Sequence, residues 1–209
     1  REISLLLYTS GTTGRPKGVP RSHAADRAGG LGQALQHGYG LGDRTLGVMP
    51  LYHTMGIHSL LAMHLVGGCY VPQPRWDAAE ALQLIEQERI TSLYVVPTLF
   101  HDLLHVDGLG ERNLSSVQAL GYAGAAMTST LVKRCVEVFA PDVFVNHYGS
   151  TEVYTFSVGR DQAAKPGCAG RPSVHTRLRL GQDGEICAHL SGDGAVASSG
   201  KKRGSIPLA

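Results

Sequence analysis

No apolar run in this 209-residue chain approaches the roughly 20 residues needed to span a bilayer as a helix. Charge of one sign is missing too. Lys and Arg number 19 against 17 Asp and Glu, a formal net charge of +2, and no basic stripe with interleaved aromatics occurs. Such a balance gives no electrostatic footprint for nucleic acid. Cysteine is sparse and scattered: Cys69, Cys135, Cys168 and Cys187 lie far apart, each in or near an apolar stretch. That excludes the dense framework of a disulfide scaffold and the paired spacing of a zinc site, and leaves four small hydrophobes in a reducing compartment. Aromatics make up 6% of the residues, hydrophobic residues 43% and charged residues 17%. The last two are values of ordinary globular domains. The expectation is an ordinary globular domain in the cytoplasm.

What is present concentrates in Tyr8-Thr9-Ser10-Gly11-Thr12-Thr13-Gly14-Arg15-Pro16-Lys17-Gly18. The run Ile3-Ser4-Leu5-Leu6-Leu7 before it reads as a buried strand. Glycines 11, 14 and 18 let backbone N–H groups turn toward one point, and Ser10, Thr12, Thr13 and Lys17 add donors and a positive charge. Such a loop suits a polyphosphate. It is not a Walker loop, because no Gly-Lys-Ser or Gly-Lys-Thr stands at the required spacing. Its competing reading is a mobile Gly/Ser/Thr turn. A second segment, His147-Tyr148-Gly149-Ser150-Thr151-Glu152, follows the strand-like Phe144-Val145-Asn146 and ends in a carboxylate. Carboxylates in ones or twos are what Mg²⁺ takes from a protein beside phosphate oxygens.

Together these segments closely resemble the adenylate-forming superfamily of acyl- and aryl-CoA ligases, peptide-synthetase adenylation domains and luciferases. The resemblance implies nucleotide contacts at Thr9, Ser10, Gly11, Thr12, Thr13, Gly14 and Lys17, and at Tyr148, Gly149, Ser150 and Thr151. Lys17, Thr151 and Glu152 are the implied catalytic set, with Thr151 at the α-phosphate and Glu152 holding Mg²⁺. Tyr122-Ala123-Gly124-Ala125-Ala126 is similar to the loop that flanks adenine, so Gly124, Ala125 and Ala126 join the nucleotide site. Pro50-Leu51-Tyr52-His53-Thr54-Met55-Gly56 resembles the segment bordering the acyl pocket. The implied pocket comprises His53, Met55, Ala123, His147, Gly149 and Tyr154. The motifs keep the family's order over roughly residues 3 to 187.

Between the motifs, strands and helices alternate. A helix runs from Asp77 to Glu88, with Glu80 completing a capping box and Ala78, Ala81, Leu82 and Ile85 on one face. Ser92 to Val96 is a strand stopped by Pro97, followed by a helix over about residues 98 to 105. Thr128 to Phe139 is a helix with Leu131, Cys135 and Val138 on one stripe. The expected fold is therefore α/β, a largely parallel sheet flanked by helices, with ligands beyond the carboxyl ends of its strands. By resemblance it is the central part of the adenylate-forming N-terminal domain, incomplete at both ends.

The implied reaction is activation of a carboxylic acid by ATP with Mg²⁺, then transfer of the acyl group to coenzyme A. The wording around residues 50–56 and 145–152 is closest to benzoate-type aryl-CoA ligases, the 4-chlorobenzoate type among them. A flat pocket with His and Tyr suits a ring, its imidazoles bonding a ring substituent; a medium-chain or alicyclic acid is the alternative. Residues 1–190 are expected to form a partial adenylation domain. The Gly- and Ser-rich residues 191–209 are expected as a disordered or out-of-frame tail, where the family's ribose-binding Asp and lysine-bearing C-terminal domain do not follow. The fragment alone is accordingly expected to be inactive, and the second functional reading is a non-catalytic nucleotide-binding remnant. His101 and His105, one helical turn apart, read as a solvated pair, and Lys201-Lys202-Arg203 as a solvated cluster.

Overall fold

The computed structural model describes residues 2–10, 15–174, 176–181, 186–190 and 196–199. Strands β1 (Ile3–Thr9) and β2 (Lys17–Ser22) pair antiparallel as a two-stranded sheet of their own, with Thr9 opposite Lys17. The buried strand expected at 3–7 is buried on one side only. Leu7 is 6% exposed, whereas Ile3 and Leu6 are 63% and 51% exposed. A two-stranded ribbon has no neighbouring strands to cover its second face, so alternate apolar side chains stay in solvent.

Helix α1 (His23–His37) is opened by Ser22, whose hydroxyl accepts from Ala25 N–H at 3.2 Å, and closed by Gly38 in the left-handed region. Three glycines inside it lower its intrinsic propensity. They are used for packing against α2 (Thr54–Val66): a Cβ at Gly30 would lie 2.9 Å from the Leu65 side chain. No helix among the described residues is long and apolar enough to cross a membrane.

The main sheet has seven strands: β3 (Arg44–Gly47), β4 (Cys69–Pro72), β5 (Ser92–Val95), β6 (Ala119–Ala123), β7 (Val143–Tyr148), β8 (Ser157–Gly159) and β9 (Arg171–Pro172). Their spatial order is β4-β3-β5-β6-β7-β8-β9; the first five are parallel, and β8 and β9 are antiparallel additions. The crossover β3–α2–β4 runs one way along the sheet. Crossovers through α3 (Ala78–Gln87), α4 (Pro97–Leu103) and α5 (Ser129–Phe139) run the other way. Right-handed connection puts helices of opposite direction on opposite faces. Consistently, α2 packs with α1, while α4 packs with both α3 and α5.

The two faces differ in chemistry. On the α3–α5 side the core is apolar, with Leu82, Ile85, Leu93, Phe100, Leu120 and Val132 at 0% exposure. β5 is buried throughout, as a central parallel strand covered on both faces must be. The α3 face is Ala81, Leu82 and Ile85, as its periodicity predicts, with Ala78 half-buried. The capping box there is half made. Asp77 accepts from Glu80 N–H at 2.8 Å, but the Glu80 carboxylate accepts from Gln73 instead. In α5 the buried stripe is Val132, Cys135 and Phe139, with Leu131 and Val138 at its margins. The stripe predicted there is therefore rotated toward Val132, because α4 and the sheet approach from that side.

Beyond β9 lies a three-stranded antiparallel sheet, β10 (Thr176–Leu180), β11 (Ile186–Leu190) and β12 (Val196–Ser199). β12 falls inside the stretch expected as an unstructured tail. Small residues without an apolar period can still pair by backbone when a strand edge is open beside them. The remaining residues after 190 lie outside the described ones.

Candidate functional site at the carboxyl rim of the sheet

Three chain segments converge where the parallel strands end. After β6 the backbone turns at Gly124 (φ 84°), and Gly124, Ala125 and Ala126 are all exposed. After β7 come Tyr148 and Gly149, Ser150, Thr151 and Glu152. Ala123 and His147 are register partners on adjacent strands, which sets the two loops side by side. The third segment is the β1–β2 hairpin, tied to the Tyr148–Glu152 segment through Arg21; Thr9 and exposed Lys17 pair at the end where the two strands connect, with Ser10 following Thr9. Of the glycine-rich segment between them, Gly11, Thr12, Thr13 and Gly14 lie outside the described residues.

The hairpin is not part of the main sheet; Arg21 makes the connection. Its Nη1 donates to the carbonyls of Thr151 (3.1 Å) and Glu152 (3.4 Å), and its Nε donates to Asp26 of α1. Asp26 also accepts from Ser4 of β1 and lies 3.3 Å from His58 Nε2 of α2. Burial alone would raise the Asp26 carboxyl, but bonds from His58, Ser4 and Arg21, together with the Arg21 charge, hold it at about 2. Burial pushes His58 below its ordinary value, against the pull of Asp26.

Glu152 is exposed and forms no ion pair among the described residues. Nor is any group of three or more His, Cys, Asp or Glu side chains placed among them to cage a metal. A lone exposed carboxylate suits Mg²⁺, which takes one or two carboxylates from a protein and whose other ligands would come from water or a polyphosphate. The residues present fit that ion.

Of the expected acyl-pocket residues, Met55, His147 and Tyr154 are buried, Ala123 is half-buried, and His53 and Gly149 are exposed. The Tyr154 ring lies 3.8 Å from that of His58, and its hydroxyl donates to Gln33 of α1. His147 Nε2 meets His37 Nε2 at 2.9 Å, and its Nδ1 lies 3.3 Å from Thr155 Oγ1. His37 Nδ1 lies 3.1 Å from the Tyr39 hydroxyl, which itself accepts from Ser92. One ordering satisfies every ring nitrogen: Ser92 to Tyr39 to His37 to His147 to Thr155, both imidazoles neutral. Both nitrogens of His147 are thus taken by protein, so it is not the imidazole expected to bond a ring substituent. His53 keeps its exposure, with Tyr52 4.9 Å away as ring neighbour.

Burial lowers His147 to about 3 and, with positive charge at His147 and Arg160 contributing, lowers His37 well below 6.5. The folded state therefore binds fewer protons than the unfolded chain below the unfolded value of 6.5, and stability falls as pH falls. From pH 7.5 to 5.0 His147 should cost about 2 kcal/mol, following about 1.4 kcal/mol per pH unit below 6.5, and His37 acts in the same direction. Urea midpoints across that range test this, and His37→Gln with His147→Gln should flatten the profile. A profile equally steep in the double variant would contradict it.

Arg21, Asp26, Gln33, His37 and His58 were not among the residues that the motifs single out. For Asp26, Gln33 and His37 the one local signal is polar residues at helical spacing behind Ser22, an N-cap; Arg21 and His58 have none. A cavity of about 720 Å³ also lies away from the rim, bounded by Leu104, Leu109, Arg112, Arg134 and Phe139, and contains none of these groups. Its arginines pair with Glu86 and Glu137.

A mostly parallel α/β sheet with the Gly124–Ala126 and Tyr148–Glu152 segments at its carboxyl rim is the class that fold and site define. The chain belongs to the AMP-binding enzyme family, which matches residues 1–200. It is 34% identical to 2-succinylbenzoate–CoA ligase, chloroplastic/peroxisomal, of Arabidopsis thaliana over 86% of this chain and 35% of that one. It is 35% identical to 4-chlorobenzoate–CoA ligase of Pseudomonas sp. (strain CBS-3) over 86% of this chain and 34% of that one. Among solved structures, o-succinylbenzoate coenzyme A synthetase from Bacillus subtilis in complex with ATP and magnesium ion superposes with a TM-score of 0.78. The identity is 26%, over 88% of this chain and 40% of that one. The chain spans about a third of the length of the curated relatives it matches.

Proposed function

We propose that this chain is the nucleotide-binding part of an acid–thiol ligase that activates an aromatic carboxylic acid with ATP and passes it to coenzyme A. What supports the reading is the side-by-side placement of the Gly124–Ala126 loop and the Tyr148–Glu152 segment, with the Lys17-bearing hairpin tied to the latter through Arg21. Each supplies a different part of nucleotide recognition. Gly124, Ala125 and Ala126 offer bare backbone against which a flat base can lie. By the resemblance, Ser10, Thr12, Thr13 and Lys17 would donate to the β- and γ-phosphates, with Thr9, Gly11 and Gly14 as further nucleotide contacts. Thr151 sits beside Glu152 to donate to the α-phosphate, and Glu152 is the carboxylate for Mg²⁺. Bound Mg²⁺ would supply positive charge to the phosphate oxygens.

In the first step a carboxylate oxygen bonds to the α-phosphorus as the bond to pyrophosphate breaks, leaving an acyl-adenylate. The thiol sulfur then bonds to the acyl carbon, and AMP leaves. Donors fixed before reaction stabilise charge as it develops on the phosphates. Support for an aromatic acid comes from the names of the two ligases above and from the exposed His53–Tyr52 pair. The test is ATP–pyrophosphate exchange by a ligase that includes this chain, with benzoate, 4-chlorobenzoate, octanoate and cyclohexanecarboxylate. Exchange with aryl acids at least tenfold faster than with the others is expected. Faster exchange with octanoate would overturn the aryl reading. ATP binding with no exchange for any acid would leave the non-catalytic remnant as the reading.

A further inference from the structure

We propose that Arg21 is a positioning residue that aims the Thr151–Glu152 segment at the nucleotide, coupling it to the strand that carries Lys17. The inference rests on the proposed nucleotide role of that segment. Arg21 is four residues after Lys17 on β2, and its side chain is only 3% exposed. Among the described residues, its bonds to the Thr151 and Glu152 carbonyls are the hydrogen bonds joining the hairpin to this segment. A carbonyl held from behind fixes the peptide plane. These are the planes on both sides of the Glu152 Cα, so they set where the Glu152 side chain leaves the chain, and the first of them also constrains Thr151.

The guanidinium is itself fixed. Asp26 takes its Nε, and Ser4 and His58 hold Asp26, so two β-strands, α1 and α2 all converge on one side chain. Arg suits this task because its planar fork donates in several fixed directions at once. Lysine keeps the charge opposite Asp26 but cannot face the carboxylate and both carbonyls with one ammonium. The charge is not lost at any ordinary pH, since Asp26 stays ionised down to about 2. The other groups facing the pair, Ser4 and His58, carry no positive charge when neutral.

The experiment is calorimetric titration of ATP into the full chain across a Mg²⁺ series, for wild type, Arg21→Lys and Ser4→Ala, with thermal melts of each. Arg21→Lys should raise the Mg²⁺ concentration for half-maximal ATP binding about tenfold, or about 1.4 kcal/mol. ATP affinity without Mg²⁺ should fall less, by about two- to threefold through Thr151, because Lys17 keeps its own place on β2. Ser4→Ala, which loosens Asp26 alone, should shift the Mg²⁺ requirement in the same direction by about two- to threefold, and it decides the matter if Arg21→Lys does not fold. A folded Arg21→Lys chain with the wild-type Mg²⁺ requirement overturns the proposal. So does an equal loss with and without Mg²⁺, which marks a purely structural residue. A wild-type chain that binds no ATP at any Mg²⁺ concentration overturns the nucleotide reading and this proposal with it.

Discussion

Replacing Glu152 with alanine is expected to remove Mg²⁺-dependent ATP binding while leaving the fold in place. The side chain is exposed and makes no ion pair among the described residues, so its loss uncovers no buried partner. A surface change of that kind moves stability by no more than about 0.5 kcal/mol, or the melting temperature by about 2 °C. A charge-assisted contact is worth about 1.5–3 kcal/mol, so Mg²⁺-dependent affinity should fall about tenfold to a few hundredfold. Glu152→Gln should behave alike, because a neutral amide cannot compensate the charge of the cation. Calorimetry at saturating and zero Mg²⁺ separates the outcomes. Unchanged Mg²⁺-dependent affinity in a folded Glu152→Ala chain would remove Glu152 from the site.

Gly149→Ala should do the reverse and cost stability first. A Cβ there would lie 1.7 Å from the Tyr154 carbonyl oxygen, and that atom is backbone. The segment cannot give way cheaply. Tyr154 N–H donates to the Ser150 carbonyl at 2.7 Å, Phe156 N–H donates to the Tyr148 carbonyl at 2.7 Å, and Tyr154 already stands at φ 65°. Non-glycine residues in the left-handed region are held there by their surroundings, here the Gln33 bond and the His58 contact. Backbone overlap at a site so constrained belongs with the severe substitutions, about 3–5 kcal/mol. A urea unfolding series on Gly149→Ala would show it as a lowered midpoint. An unchanged midpoint would mean that the 149–155 turn is far softer than its bonds imply.

Much of the architecture is written in local pattern. Leu93 and its neighbours in β5 read as a strand because a short apolar run ends at Pro97. Asp77 starts α3 because its carboxylate meets the N–H of Glu80. The Tyr8–Gly18 and Tyr148–Glu152 segments are legible because the spacing of glycines, hydroxyls and a carboxylate is a chemical requirement that survives without coordinates. α1 was not legible. Its glycines oppose a helix locally, and only α2, a few ångströms from Gly30, gives the reason for them.

By itself the sequence determined the alternation of strands and helices, the strand-end position of the motifs and the residue types available to a nucleotide and a cation. Those properties depend on neighbours a few residues apart. Tertiary structure decided which polar groups are already spent. His147 stood as an open imidazole until His37, 110 positions away, was found at 2.9 Å. Arg21 carried no signal until its guanidinium was seen between Asp26 and the Thr151 carbonyl, 130 positions on. A hydrogen bond is local in space and arbitrary in sequence separation, so the partner of a buried polar side chain is known only once the chain has folded back on itself.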